Sequence, residues 1–205
     1  MPAVSWGLVV PVKRLSLAKT RLSSYGDDVR QELALAFATD VVTAALAATT
    51  VREVLVVTDD DRARERLGDV GARVVGDLPD AGLNPALEHG ASQLAAGLGR
   101  AAISADLPAL RPEHLDAALA AVPPAGRGFV VDVTGTGTTL LAAAAGVGLA
   151  PAYGAGSREV HLQSGAVELP GSAGLRLDVD TPEDLDAALL LGVGIATAAV
   201  AGRLR

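Results

Sequence analysis

Three aspartates have the side chains and the spacing to bind a divalent cation together. Asp178 and Asp180 flank Val179 in the segment LRLDVD, and Asp106 ends the segment AAISAD. Residues two apart in a strand point to the same face, roughly 6.6 Å apart, so two carboxylates could converge on one cation or a close pair. Asp106 could join them from a neighbouring strand. Mg²⁺ fits this set better than Ca²⁺, because few protein ligands leave room for waters and substrate phosphates.

The second aspartate of this pair also has a purely structural interpretation. The segment DTPED is typical of a helix start, with Thr181 as the N-cap, Pro182 at the first helical position and Asp184 closing a capping box. Capping and metal binding are compatible, because a cap can fix the geometry of the neighbouring ligand. Both interpretations of Asp180 therefore stay open at this point.

The segment VPVKRLSLAKTRLSS, residues 10–24, is strongly basic in a chain whose net charge is −7. It follows an apolar run over residues 6–10 that predicts a buried strand, and it precedes a helical pattern. A strand, a basic loop and a helix in this order can form an anion site at the carboxyl edge of an open α/β sheet. We therefore predict that this segment binds a triphosphate. The alternative is a solvated turn. The segment contains no carboxylate, and its cations are Lys13, Arg14, Lys19 and Arg21.

Two loops rich in glycine, TGTGT at residues 134–138 and YGAGS at residues 153–157, could wrap a small anion with backbone N–H groups. Ordinary turns are the alternative for each. Residues 134–138 lack the third glycine of a dinucleotide fingerprint, and no P-loop motif occurs in the chain. The three histidines have no metal-ligand spacing and no evident nucleophile partner, so we interpret them as structural or surface residues; they are His89, His114 and His161.

Composition narrows the class of protein. The chain has 205 residues without a linker-like segment, which predicts one domain over residues 1–205. Half of the residues are apolar but 2% are aromatic, so Ala, Val and Leu must build the core. The acidic balance disfavours a nucleic-acid partner. No apolar run approaches about 18 residues and no signal peptide is evident, so we expect a cytoplasmic protein without a membrane partner.

Strand and helix patterns alternate along the chain, which predicts an α/β, Rossmann-like fold with a mainly parallel central sheet. Apolar spacing predicts long helices over residues 27–50, 84–98 and 182–191, a short one over 61–67, and one opening at 111–113. Strands are predicted over residues 6–10, 54–57, 73–75, 101–105, 129–131, 139–142 and 175–179.

Taken together, these motifs resemble the CofC/FbiD family, guanylyltransferases of the biosynthesis of the deazaflavin coenzyme F420. The resemblance covers nearly the whole chain in the same order. The segments that carry it are VKRL (12–15), AKTRL (18–22), LN (83–84), ADLPAL (105–110), GTGT (135–138), GAGS (154–157), SGAVEL (164–169) and DVDTP (178–182).

The resemblance implies a GT-A-type nucleotidyltransferase fold. It also implies condensation of GTP with phosphoenolpyruvate or 2-phospho-L-lactate and release of pyrophosphate, and the likeness to the actinobacterial branch favours phosphoenolpyruvate. By the resemblance, Asp106, Asp178 and Asp180 bind magnesium, and Thr138, Gly154 and Ser157 bind the acceptor. Tyr153 departs from the expected Phe.

The mechanism that agrees with this resemblance needs no covalent intermediate, because the acceptor phosphate is already an anionic nucleophile. Two Mg²⁺ ions would clamp the phosphates. We expect Lys13, Lys19 and Arg21 to stabilise the departing pyrophosphate, and Asn84 to contact the base or the ribose.

Two other functions remain open. A GT-A glycosyltransferase would also use Asp-x-Asp and a nucleotide, but its sugar pocket usually needs aromatic residues that are scarce here. A non-catalytic nucleotide-binding module would bind GTP and release no pyrophosphate. The oligomeric state is not predicted.

Overall fold

A seven-stranded sheet forms the centre of the computed structural model, which describes residues 5–204. The strands consist mostly of Val, Leu and Ala, as a sheet covered on both faces requires. Their bounds are β1 (Trp6–Pro11), β2 (Val51–Val57), β3 (Arg73–Val75), β4 (Gly99–Ile103), β5 (Arg127–Val131), β6 (Thr138–Ala143) and β7 (Val167–Glu168).

The strand order is β3-β2-β1-β4-β6-β5-β7. β1 pairs in parallel with β2 and β4, and β2 with β3, while β6 is antiparallel to its neighbours β4 and β5. The carboxyl ends of β1 and β4 therefore meet the beginning of β6 at one edge of the sheet. Ligands of open α/β sheets bind at such an edge.

Helices cover both faces of this sheet. Their bounds are α1 (Asp27–Ala47), α2 (Asp61–Val70), α3 (Leu83–Gln93), α4 (Pro112–Ala120), α5 (Ser157–Gln163), α6 (Ala173–Arg176), α7 (Pro182–Leu191) and α8 (Ile195–Ala201). No helix within residues 5–204 combines the length and the apolar character that a membrane crossing requires.

Alternation along the strands divides the core into two layers. Leu8 and Val10 pack into the layer that includes residues of α1, α2 and α4, whereas Val9 between them packs against α3. α3 lies close to the sheet at Gly90, where an added Cβ would come within 2.7 Å of Val9 Cγ1. A small residue at this position is therefore required for the observed packing.

A third apolar cluster joins α1 to α7 and α8. Asp40 of α1 is buried, and its carboxylate accepts hydrogen bonds from the backbone N–H groups of Ala196 (3.0 Å) and Thr197 (2.9 Å) in the first turn of α8. This bond pattern satisfies donors that a helix start leaves free and stabilises the buried carboxylate. The last helix is thereby fixed to the central layer.

Most predicted elements are confirmed, but the strand predicted over residues 175–179 is wrong. α6 occupies Ala173–Arg176, and an extended connection follows it. The N–H of Leu177 bonds to the carbonyl of Ala173 (3.0 Å), and the N–H of Val179 bonds to that of Asp106 (2.9 Å), so these groups do not join a strand ladder. The helix predicted to residue 98 ends at Gln93, and α5, β7 and α8 were not predicted.

Candidate active site

The basic segment after β1 is held in place from two sides. It forms two short 3-10 turns, Leu15–Leu17 and Thr20–Tyr25. The N–H of Leu15 donates to Oδ2 of Asp60 (2.9 Å). On the other side, the buried guanidinium of Arg30 donates to the carbonyls of Leu15 (3.2 Å), Ser16 (3.1 Å) and Ala18. A planar donor with five N–H groups suits such a cluster of carbonyls, so the loop conformation is well determined.

Lys19 is directed from this loop into the acidic site. Lys19 lies between the two 3-10 turns, and its φ of 52° is in the left-handed region. Its ammonium donates to Oδ1 of Asp180 at 2.7 Å and to Oδ2 of Asp106. The side chain of Lys19 is only 11% exposed, so the ion pairs are largely shielded from solvent. One lysine thus joins the segment after β4 to the segment before α7.

The electrostatics of this cluster are strongly coupled. Burial alone would lower the pKa of Lys19, but the carboxylates of Asp106 and Asp180 outweigh it and raise the pKa above its ordinary value. Burial would raise the pKa of Asp180, and the nearby ammonium of Lys19, followed by Arg21, lowers it instead. Lys19 and Asp180 therefore stabilise each other's charged forms.

For Asp178, neighbouring cations do not outweigh the effect of burial on the pKa. Burial, and next the charge of Asp106, raise its pKa to about 6. Oδ1 of Asp106 is buried and has no hydrogen-bond partner among the described residues. Both observations indicate carboxylate oxygens that a further cation would stabilise.

The three aspartates predicted to bind magnesium, Asp106, Asp178 and Asp180, do not form a closed metal site. Within residues 5–204, no group of three or more His, Cys, Asp or Glu side chains has the geometry of a metal site. The ammonium of Lys19 lies between Asp106 and Asp180 instead. The three carboxylates are nevertheless coupled, since the charges of Asp106 and Asp180 both raise the pKa of Asp178. Their donor chemistry fits Mg²⁺.

The capping interpretation of Asp180–Asp184 is confirmed. Thr181 Oγ1 accepts from the N–H of Asp184 (3.2 Å), and the Asp184 carboxylate accepts from the N–H of Thr181 (2.9 Å). The N–H of Asp180 also donates to Asp184 Oδ2 (3.1 Å), so the cap orients the backbone that carries the Asp180 carboxylate. Cap and charged site therefore coexist.

A cleft of about 330 Å³ opens at this edge of the sheet. The basic segment lines one part of it, and Ser104, Ala105 and Asp106 after β4 line another. Arg21 is exposed and contacts Oδ2 of Asp180 at 3.1 Å, and Lys13 is exposed. A cleft of this size with three cations can hold a small phosphorylated ligand.

The residues expected to bind the acceptor fall into a buried pair and an exposed glycine. Ser157 Oγ donates to Thr138 Oγ1 at 3.1 Å, and both side chains are buried. Gly154 is exposed in the loop before α5, with a φ of 139° that disfavours side chains. Their roles stay predictions.

Asn84 is occupied by protein contacts. Its amide accepts from the N–H of Tyr153 (2.8 Å) and donates to the carbonyl of the same residue (3.1 Å). Tyr153 in turn donates from its hydroxyl to the carbonyl of Ala102 (2.7 Å). Asn84 thus links α3 to the loop before α5, and base or ribose contact stays a prediction.

The loop at residues 134–138 wraps an anion of its own chain. The carboxylate of Asp132 accepts from Thr134 Oγ1 (2.8 Å) and from the N–H of Thr136 (2.9 Å). Burial alone would raise the pKa of Asp132, but these hydrogen bonds outweigh burial and lower it. The segment is the turn of the β5–β6 hairpin. Its turn interpretation is confirmed, and Asp132 already uses donors that an external anion would need.

Two residues of the site were not identified from the sequence. Arg30 lies inside the apolar stripe of α1, where a lone arginine is a usable signal for a buried structural cation. The sequence predicts a structural or surface role for His161, and the side chain is fully buried with Nδ1 2.9 Å from Thr138 Oγ1. No sequence spacing connects His161 to Thr138, because the link is made across α5 and β6.

Comparison with known proteins supports the same functional class. The family described as guanylyl transferase CofC like matches residues 7–204. A phosphoenolpyruvate guanylyltransferase of Thermomonospora curvata is 54% identical over 98% of this chain and 90% of its own length. One of Streptomyces scabiei is 56% identical over 98% of both chains.

Solved structures with low sequence identity share the fold. A nucleotidyl transferase from Methanothermobacter thermautotroptrophicus has a TM-score of 0.63 at 21% identity, covering 91% of this chain and 98% of its own. A 4-diphosphocytidyl-2C-methyl-D-erythritol synthase has a TM-score of 0.64 at 14% identity, covering 92% and 99%. The predicted α/β nucleotidyltransferase fold is confirmed.

Proposed function

This chain belongs to the CofC-like guanylyl transferase family, and on that premise we propose that it transfers GMP from GTP to phosphoenolpyruvate. The products are enolpyruvyl-diphospho-guanosine and pyrophosphate, and we place the reaction in coenzyme F420 biosynthesis. The observation that carries the proposal is the position of Lys19 between Asp106 and Asp180, in a cleft also lined by Lys13 and Arg21. Both substrates are metabolites of the cytoplasm, where we place the protein.

The proposed reaction needs no nucleophile from the protein. A phosphate oxygen of the acceptor attacks the α-phosphorus of GTP and forms the new P–O bond. The bond from the α-phosphorus to the bridging oxygen of the β-phosphate breaks, and pyrophosphate leaves with that electron pair. The protein acts by holding the two anionic reactants in line and by neutralising their charge.

The basic segment is suited to the leaving group. Arg21, which is exposed at the rim, presents a planar guanidinium that can form two parallel bonds to a phosphate. Lys13 and Lys19 supply point charges on the same wall of the cleft. Because Arg30 and Asp60 fix the backbone of this wall, the charges are placed before the nucleotide binds.

We propose Asp106, Asp178 and Asp180 as the residues that hold Mg²⁺, with two ions as in related two-metal sites. The unpartnered Oδ1 of Asp106 and the raised pKa of Asp178 support this assignment. The metal would neutralise phosphate charge and orient the phosphates. Phosphate oxygens of a substrate bound in this cleft would offer the ammonium of Lys19 an alternative to its carboxylate partners.

We assign the acceptor to the region beside the cleft near the start of β6, where the N–H of Ser104, a residue that lines the cleft, bonds to the carbonyl of Thr139. Thr138, Ser157 and the exposed backbone of Gly154 are the proposed contacts. Asn84 supports the loop before α5 through its two bonds to Tyr153, and contact with the nucleoside is a separate, additional proposal.

A sugar-transfer function lacks support from the aromatic residues. The single Trp, Trp6, is 3% exposed, and both phenylalanines, Phe37 and Phe129, are fully buried. The two tyrosines, Tyr25 and Tyr153, are half-buried, and the hydroxyl of Tyr153 is bonded to the carbonyl of Ala102. Stacking platforms for a sugar ring would need exposed aromatic faces.

A coupled pyrophosphate assay tests the proposal. The protein is supplied with Mg²⁺, with GTP or ATP, and with phosphoenolpyruvate, 2-phospho-L-lactate or no acceptor. We expect pyrophosphate only when GTP and a three-carbon phosphate are both present, with phosphoenolpyruvate preferred. Preference for 2-phospho-L-lactate would change the acceptor alone. GTP binding without pyrophosphate release under any condition would indicate a binding module and contradict the proposal.

A further inference from the structure

His161 lies on α5 directly under the start of β6, and both of its ring nitrogens have partners. The side chain is fully buried between the rings of Phe129 and Tyr153, with centroids 5.6 and 5.8 Å away. Nε2 lies 3.1 Å from the backbone N of Ala152, and Nδ1 lies 2.9 Å from Thr138 Oγ1. Full burial means that this ring does not touch a ligand in the cleft.

The partners determine the tautomer of the ring. The backbone N–H of Ala152 can only donate, so Nε2 must be the unprotonated acceptor. Burial, and next the charge of Arg127, lower the pKa of His161 to about 4, which keeps the ring neutral at pH 7. A neutral ring with a free Nε2 carries its proton on Nδ1. Nδ1–H therefore donates to the hydroxyl oxygen of Thr138.

Together with a second bond, this one leaves the Thr138 hydroxyl only its own O–H to donate. Its oxygen accepts from His161 Nδ1 and also from Ser157 Oγ, so both lone pairs are used. The hydrogen bonds among residues 5–204 include none that Thr138 Oγ1 donates to a protein acceptor. Its proton is thus available to an acceptor atom that the chain does not supply.

The position of this hydroxyl matches the proposed acceptor side. Thr138 is the first residue of β6, which is antiparallel to β4, so it lies at the edge where β4 ends. The N–H of Ser104, a residue that lines the cleft, bonds to the carbonyl of Thr139 at 2.9 Å. Thr138 retains 7% exposure.

We propose that His161 is a positioning residue. By occupying an acceptor position of the Thr138 hydroxyl, it orients that hydroxyl to donate a hydrogen bond to an oxygen of the anionic acceptor. This inference rests on the proposed function and deepens it. Ser157 completes the arrangement by filling the second lone pair of Thr138. The consequence for specificity is that the substrate atom facing Thr138 must accept a hydrogen bond, as a carboxylate or phosphate oxygen does and an amide N–H does not.

The tautomer can be measured without any activity. In a ¹⁵N-labelled double variant, His89→Asn with His114→Asn, the one remaining imidazole is His161. Long-range ¹H–¹⁵N correlation at pH 7 should give a protonated Nδ1 and an unprotonated Nε2. A proton on Nε2, or on both nitrogens, would overturn the inference.

The effect on the acceptor is measured by titrating phosphoenolpyruvate into the protein with Mg²⁺ and the α,β-methylene analogue of GTP, which cannot react. The amide of Asn reaches the Nδ1 position of the ring, whereas that of Gln reaches the Nε2 position. We expect His161→Gln to weaken phosphoenolpyruvate binding about tenfold, in the range of one charged hydrogen bond. His161→Asn should retain a donor to Thr138 and bind more tightly than His161→Gln, and the nucleotide analogue should bind equally to all three proteins.

Each outcome of this titration has a separate meaning. Equal affinity of His161→Gln and the parent protein would overturn the inference alone. A parent protein that does not bind phosphoenolpyruvate would overturn the inference together with the acceptor assignment. Binding with the expected order of variants, but no pyrophosphate from GTP, would contradict the proposed function and leave the positioning role supported. If His161→Gln does not fold, the tautomer and the affinity of His161→Asn against Thr138→Val decide, since His161→Asn should bind more tightly.

Discussion

The ammonium of Lys19 lies 2.7 Å from Oδ1 of Asp180, a residue 161 positions further along the chain, and it also contacts Asp106. One cation thus joins the basic segment to both acidic segments. The charge balance of the cleft depends on this lysine, since the two carboxylates would otherwise repel each other and Asp178.

Replacing Lys19 by Met should affect both activity and stability. Without its ammonium, turnover should fall by at least ~10²-fold, which is typical of losing one preorganised electrostatic group. Without added Mg²⁺, the free energy of unfolding should fall by about 2 kcal/mol, because partly buried carboxylates lose their partner. Chemical denaturation with and without Mg²⁺ measures this, and Mg²⁺ should restore part of the loss. Arg14→Met is the control; an equal loss in that variant would contradict the role of Lys19.

Replacing Asp178 by Asn separates a metal ligand from a structural residue. If Asp178 binds Mg²⁺, turnover should drop by at least ~10²-fold, since a phosphate clamp is commonly worth several kcal/mol. Without Mg²⁺ the melting temperature should stay equal or rise slightly, because one of three mutually repelling carboxylates is removed. The control is Asp186→Asn on the exposed face of α7. A destabilised Asp178→Asn protein with normal turnover would identify Asp178 as structural.

Arg21→Ala should weaken the use of GTP and leave the acceptor side unchanged. Arg21 is exposed and lines the cleft, whereas Thr138 and Ser157 are not among the residues that line it. Losing one charged hydrogen bond to phosphate should lower kcat/KM for GTP about tenfold. Steady-state kinetics with each substrate varied in turn measures both effects, with Arg62→Ala of α2 as the control. A raised KM for the acceptor with unchanged use of GTP would place the triphosphate elsewhere.

His161 should make the protein less stable in mild acid. Its pKa is about 4 in the folded protein and ordinarily 6.5, so the unfolded chain takes up the proton first as the pH falls. The stabilising contribution of the neutral ring is complete above pH ~6.5 and is lost as the pH falls toward ~4. Between pH 7.5 and 5 the free energy of unfolding should fall by about 2 kcal/mol from this group alone. Denaturation curves of His161→Asn should lack this decrease, and those of His89→Asn should retain it; the reverse pattern would contradict the assignment.

The sequence was sufficient to predict the central sheet and the long helices, because these elements have strong local patterns. The β-branched run at β2 and the capping box at Thr181 are examples, and both occur as predicted. The segment LRLDV failed because its alternation imitates a strand, whereas its backbone groups find partners in a helical turn and at Asp106. Local pattern cannot reveal which distant carbonyl a segment will meet.

The candidate site was predictable in its charges but not in its internal contacts. Lys13, Lys19 and Arg21 were found as a basic segment, and Asp106, Asp178 and Asp180 as acidic residues after apolar segments. The sequence carries no signal that Lys19 would lie between Asp106 and Asp180, because the left-handed conformation at Lys19 depends on the two turns around it. The partners of Asn84 and His161 likewise follow from tertiary packing.

The most direct test of guanylyl transfer is ³¹P NMR of a reaction that contains the protein, Mg²⁺, GTP and phosphoenolpyruvate. The account predicts that the signals of GTP and of the phosphoenolpyruvate monoester decline together. Two coupled signals of a new diphosphate diester and the signal of pyrophosphate should grow in equal molar amounts. Formation of GDP and inorganic phosphate, with the phosphoenolpyruvate signal unchanged, would contradict the account.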